Sequence, residues 1–122
     1  MSDHSGAESD QRPTGVPHLS RGDFGLLILG LINRREMYGY EIVAELRATT
    51  NGTIDLPEGT VYPALRRLER DGIVEGHWVE VAVGTPRRRY YRLTLKGENA
   101  LAGGREEWLR FKVAADALLE PT

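Results

Sequence analysis

Apolar positions along this chain fall into four stretches with helical spacing and one pair of alternating runs. The first stretch follows Leu19, where Ser20 can cap a helix; Phe24, Leu27, Ile28 and Leu31 form one stripe and Leu26, Leu29 and Ile32 the other. A helix apolar nearly all round must be covered from two directions, so this one is expected between its own core and a second apolar surface. The polar turn NRREM follows, and YGYEIVAELRATTNG then predicts a second helix on Ile42, Val43 and Leu46, ended by Asn51-Gly52. A short extended piece, TIDL, leads to Pro57, which favours an extended residue before it and opens a helix well.

The third helix lies in GTVYPALRRLERDG, where Val61, Leu65 and Leu68 point inward and Tyr62, Arg66 and Glu69 or Arg70 point outward. Pro63 is comfortable only in a first turn, so the helix is expected to begin near Gly59 or Thr60, or to bend. Asp71-Gly72 stops it. IVEGHWVEV and RRRYYRLT then read as two strands around a turn at Val83-Gly84-Thr85-Pro86. Three helices followed by a hairpin is the layout of a winged helix-turn-helix, a mainly α (α+β) fold in which one helix enters the DNA major groove and the hairpin tip approaches the backbone or minor groove.

Thr94 can cap a final helix running to about Leu119. Leu101, Gly104, Trp108, Phe111, Ala115 and Leu118 alternate spacings of three and four along it, a seam for another helix. Gly103-Gly104 weaken a helix by about 1 kcal/mol each relative to alanine, so they mark a late start, a kink or a close approach of two backbones. The domain boundaries expected are a disordered tail over 1–18, a DNA-binding domain over 19–96 and a dimerisation helix over 97–119.

Composition changes this picture in a few places. The chain has 122 residues, 40% of them hydrophobic and 28% charged, which is about one domain with a modest core, and a second copy sharing that core would add stability. The net charge of −2 argues against nucleic acid when taken over the whole chain, but Asp3, Glu8 and Asp10 sit in a leading segment poor in apolar residues. Residues 57–96 carry eight basic against five acidic side chains, a local positive surface inside an acidic total. With no cysteine there are no disulfides, thiolate metal sites or cysteine nucleophile, in keeping with a reducing compartment. Residues 1–18 lack the apolar core of a secretory signal and FGLLILGLI is too short to span a bilayer, so a cytoplasmic location without membrane contact is expected.

With these elements in place the chain resembles the PadR family of bacterial transcriptional regulators. The resemblance rests on GYEI at Gly39 to Ile42, GTVYPALRRLERDGIV at Gly59 to Val74 and RRRYYRLTLKG at Arg87 to Gly97, and with the apolar first helix and Trp108 it covers roughly 19–119. It implies a homodimeric repressor of a palindromic operator in double-stranded DNA, whose last helix packs against the partner, often on the partner's first helix. The single short final helix is similar to the small subfamily. Some relatives stack flat aromatic ligands on a tryptophan of this helix, which makes Trp108 a candidate contact for a small aromatic effector. The leading tail departs from the family pattern.

The candidate DNA contacts are Tyr38, Tyr40, Glu58, Gly59, Thr60, Tyr62, Arg66 and Arg87, Arg88 and Arg89. Thr60 and Tyr62 can donate to phosphates or bases and Arg66 can bind guanine or phosphate with two hydrogen bonds. Strand alternation turns Arg87 and Arg89 to one side of the hairpin and Arg88 to the other. Blander roles stand beside these: Tyr62 packs under the hairpin, Arg66 and Arg70 pair with Glu69 or Asp71, one of Tyr38 and Tyr40 belongs to the core, and the three arginines keep a strand edge charged. The candidate dimer and effector set is Phe24, Leu101, Gly104, Trp108, Phe111, Ala115 and Leu118. His4, His18 and His77 are scattered, no phosphate loop or catalytic triad spacing occurs, and neither enzymatic activity, metal nor cofactor is expected. The competing class is a winged-helix module for protein interaction, which would be insensitive to changes at Arg87 to Arg89.

Overall fold

The structure, a computed structural model, describes residues 24–121. The expected tail over 1–18 and the Ser20 cap lie outside the described residues. Helix α1 spans Gly25–Ile32, strand β1 Met37–Tyr38, α2 Gly39–Thr49, α3 Glu58–Arg70, β2 Val74–Val79, β3 Arg88–Leu93 and α4 Leu95–Leu119. The order is that of a winged helix-turn-helix with one long terminal helix.

The core gathers one side of each element: Ile28, Leu29, Ile42, Val61, Leu65, Ile73 and Val74 are each at most 1% exposed. Each such aliphatic side chain contributes about 2 kcal/mol relative to exposure, which is what holds three short helices on a small sheet. On α1 the buried set is Ile28, Leu29, Leu31 and Ile32, drawn from both expected stripes, and Phe24 and Leu27 stay open at 36% and 38% exposure. The inward stripe of α3 is Val61, Leu65 and Leu68, joined by Ala64.

Helix α3 begins one residue before the expected start, and Pro63 sits in its second turn without ending it. The reason is exposure. Proline removes the amide that would have reached the Gly59 carbonyl, but both residues face solvent, so water can satisfy that oxygen. Thr94 caps α4 as expected, its Oγ1 accepting from the Gly97 amide at 3.0 Å.

The sheet is antiparallel in the order β1-β3-β2, so the two-stranded wing gains a short third strand that sequence periodicity did not indicate. Met37 pairs with Tyr91 and Tyr38 with Tyr90, while β2 and β3 run from Val74↔Leu93 to Val79↔Arg88. Tyr38 therefore belongs to a strand, at the entry to α2 rather than on it. The wing tip turns through Gly84, whose φ of 85° suits glycine, and Thr85 Oγ1 donates to the Ala82 carbonyl at 2.6 Å.

Helix α4 is continuous through Gly103-Gly104. A Cβ on Gly104 would lie 2.5 Å from Leu26 Cδ1, so the close approach is between α4 and α1 of the same chain. Leu101, placed on the intermolecular seam by its spacing, is 6% exposed and belongs to the chain's own core. Both are corrections with one physical cause: the first turns of α4 are already covered by α1.

Candidate nucleic-acid interface

Three structural pieces converge on one edge: the amino ends of α2 and α3 and the wing. Glu58, Gly59 and Thr60 are exposed in the first turn of α3, and Arg66 and Arg70 continue that open side. Arg70 Nε lies 3.9 Å from Asp71 Oδ1, an exposed pair worth little, while Arg66 makes no ion pair among the described residues. Its guanidinium stands free of the carboxylates considered for it.

Tyr62 is half-buried, and its ring covers Gly39 at the start of α2; a Cβ there would come within 1.9 Å of Tyr62 Cε1. Burial, then the Glu58 carboxylate and Tyr91 and Tyr38, raise the Tyr62 pKa above its ordinary value. The hydroxyl therefore stays protonated at neutral pH and can donate a hydrogen bond to a phosphate. Packing on α2 takes the place of packing under the hairpin. Neither Tyr38 nor Tyr40 is core: Tyr38 is half-buried and Tyr40 is 56% exposed. Strand pairing leaves Tyr38 on a sheet face and Tyr40 on the outer side of α2, so the expectation that one of them is interior is corrected.

The outer face of the sheet stacks side chains across its three strands. Tyr38 and Tyr90 rings lie 5.3 Å apart, the Arg88 guanidinium sits 4.6 Å from the Tyr38 centroid, and His77 is 6.4 Å from Tyr90. Below them Glu36 accepts from His77 Nε2 at 2.6 Å and faces Arg92 at 3.6 Å, and Arg92 donates to Glu75 at 2.8 Å. The opposite face carries Trp78, with Arg87 and Arg89 guanidinium carbons 5.8 and 5.3 Å from its ring centroid. The alternation expected for the three arginines is the one observed.

Their environments differ. Arg87 and Arg88 are exposed, whereas Arg89 donates to Glu69 Oε2 on α3, a bond that raises the Arg89 pKa further. Trp78, Tyr90 and Glu69 were absent from the sequence-based set. Counting hairpin register back from the Gly84 turn would have put Trp78 opposite Arg89; nothing in the sequence brings Glu69 to Arg89 across twenty positions.

A second open surface is apolar. Phe24 just before α1, Leu27 on it, and Trp108, Phe111 and Leu118 on α4 are 36%, 38%, 47%, 42% and 85% exposed, with Trp108 and Phe111 rings 5.8 Å apart. Ala115 between them is half-buried. An open depression of about 610 Å³ lies elsewhere, between Tyr40, Val43 and Arg47 on α2 and Asp55 in the segment after it, and does not include Trp108. No group of His, Cys, Asp or Glu among the described residues could hold a metal, and no helix among them is long and apolar enough to cross a membrane.

A positively edged recognition helix beside a braced hairpin defines a winged-helix DNA-binding protein. The model of the transcriptional regulator PadR-like family matches residues 28–103, and the chain belongs to that family, whose members are DNA-binding regulators and not enzymes. It is 35% identical to an uncharacterised protein of Lysinibacillus sphaericus over 82% of this chain and 91% of that one. It is also similar to a transcriptional regulator from Clostridium thermocellum, at 32% identity and a TM-score of 0.74 over 82% of this chain and 93% of that one. The fold is shared with Bacillus subtilis PadR in complex with operator DNA, at 23% identity and a TM-score of 0.60, over 70% of this chain and 46% of that one.

Proposed function

We propose that this DNA-binding regulator acts as a homodimer that represses transcription from a two-fold symmetric operator and releases it when a small, flat aromatic molecule binds between the subunits. The observation that carries this reading is the set of large apolar side chains Phe24, Leu27, Trp108, Phe111 and Leu118, 36% to 85% exposed around two helices that pack on each other through Leu26 and Gly104. A second copy laid on that set would pair two recognition helices, and a spacing of about 34 Å between them would match one turn of duplex DNA.

In this reading α3 enters the major groove with Thr60 and Arg66 toward the bases, Glu58 and Gly59 at its leading end, and the Tyr62 hydroxyl donating to a phosphate. Tyr38 and Tyr40 border the backbone on one side, and Arg87 and Arg88 on the wing grip it on the other. The effector would stack on Trp108 and its symmetry mate, with Ala115 leaving room beside the rings, and would work by changing the separation of the two reading helices.

Fluorescence anisotropy of the full chain with its own upstream DNA, and light scattering of the free protein, test the reading. Saturable, salt-sensitive binding tighter than to a scrambled duplex, by a protein of twice the chain mass, is expected. A lone chain at micromolar concentration, or equal affinity for both duplexes, would overturn it.

A further inference from the structure

Arg89 is held by a different set of partners from its two neighbours. It lies opposite Trp78 in the hairpin register, on the wing face turned toward α3. Its guanidinium donates to Glu69 Oε2, near the carboxyl end of α3, and both side chains are 31% exposed. Trp78 covers it, 5.3 Å from centroid to Cζ. The position beside it on β2 is Gly76, and a Cβ there would stand 2.7 Å from Arg89 Nε and 2.9 Å from Cζ. Any larger residue at 76 would push the guanidinium off its seat. Tyr91, the next inward residue on β3, is 8% exposed and closes the base of the seat.

A phosphate contact is strongest from a guanidinium with a free donor edge and no competing carboxylate. Arg87 and Arg88 meet that condition: both are exposed and their recorded contacts are with the faces of Trp78 and Tyr38. Arg89 has its charge met by Glu69. We propose that Arg89 is a positioning residue and not a DNA contact: with Glu69 it forms a strut that fixes the wing against the recognition helix, and so sets the spacing at which the two can grip one duplex.

The inference rests on the reading that α3 and the wing bind DNA together, and its test has one arm with DNA and one without. In the first, operator affinity is measured over a range of salt for the full chain and for Glu69→Ala, Arg89→Ala, the double variant and the swap Glu69→Arg/Arg89→Glu. A strut predicts that each single variant loses roughly five-fold, that the double variant loses no more than either, that the swap regains most of the loss, and that the salt slope is unchanged. A phosphate contact predicts the reverse pattern. Arg89→Ala would then lower the slope by about one, and Glu69→Ala, removing a negative charge near DNA, would keep or improve affinity. That outcome would overturn the proposal.

The second arm uses Trp78 as reporter. The chain has two tryptophans, so Trp108→Phe leaves Trp78 alone. In that background Glu69→Ala and Arg89→Ala should raise acrylamide quenching of Trp78 equally, and the swap should restore it. Quenching unmoved by Glu69→Ala would refute the strut even if DNA binding were normal. Absence of DNA binding by the parent chain would instead remove the proposed function and leave the strut to be decided by this arm.

Discussion

Arg66, Arg87 and Arg88 stand on a surface whose neighbours are tied to one another, whereas Trp108, Phe111 and Leu118 stand exposed on the far half of α4. Around the first group Glu36 joins β2 to β3, Tyr38 stacks on Tyr90, Tyr62 sits on Gly39 and Glu69 meets Arg89. The cations are thus presented from a frame that one chain completes alone. Along α4 the first turns are covered by α1, and beyond Gly104 the large apolar side chains are 42% to 85% exposed. One surface is preorganised and polar; the other is apolar and exposed. The first suits a charged partner that must be met at fixed spacing, the second a partner that removes apolar area from water.

Trp108→Glu combined with Phe111→Glu strikes the second surface and should have the largest effect. Buried carboxylates would prevent self-association, and losing the link between two half-site contacts should weaken operator binding by about 100-fold or more. The helical content and melting of the single chain should hardly change. Light scattering and anisotropy on the same sample would measure both; a variant still dimeric would break the comparison.

The same residue type on the two halves of α4 gives a sharper division. Leu101→Ala opens a cavity in the chain's own core and should cost about 2–4 kcal/mol of folding stability, whereas Leu118→Ala should change it by less than about 0.5 kcal/mol and act on self-association alone. Urea titrations with a concentration series separate the two. Equal costs would mean that the far half folds onto something within the chain.

That pair of leucines also marks where sequence pattern runs out. Periodicity placed Leu101 and Leu118 on one seam, and both lie on one continuous helix, but spacing does not say what lies opposite. For Leu101 it is α1 of the same chain. The stripe of α3 was legible because Val61, Leu65 and Leu68 repeat at helical spacing inside clear stop signals. Strand β1 was not, since Met37 and Tyr38 carry too short a pattern and become a strand only by pairing with Tyr91 and Tyr90, more than fifty positions away. Of the DNA-contact candidates, the alternation of Arg87, Arg88 and Arg89 was readable from the two-residue repeat of a strand. Which of them meets a carboxylate depended on Glu69, and local pattern carries no information on that.

On the polar surface the expected effects are smaller because each contact is one of several. Arg87→Ala and Arg88→Ala should each lower affinity for operator and scrambled duplex alike by roughly five-fold and reduce the salt slope by about one. Secondary structure should be unaffected, since both side chains are exposed and lie along aromatic faces with no ion pair among the described residues. A loss confined to the operator would move these arginines from backbone grip to base reading.

Alkaline titration tests the rigidity of the same frame most gently. Burial raises the pKa of Tyr62, helped by Glu58, and burial likewise raises that of Tyr91, helped by Glu69. Both phenols therefore hold their protons more tightly folded than unfolded. Stability from this source is fully present below the unfolded value, about pH 10, and is lost as pH climbs through the higher native values, because the unfolded chain then releases protons first. Thermal melts stepped upward from about pH 8 should show a decline that begins near pH 10, and Tyr62→Phe should make it shallower. The far half of α4 carries no tyrosine, so self-association of the wild-type chain should hold across the onset of that decline. If dimer dissociation came first, the apolar contact and not the tyrosine frame would be the part that alkali loosens.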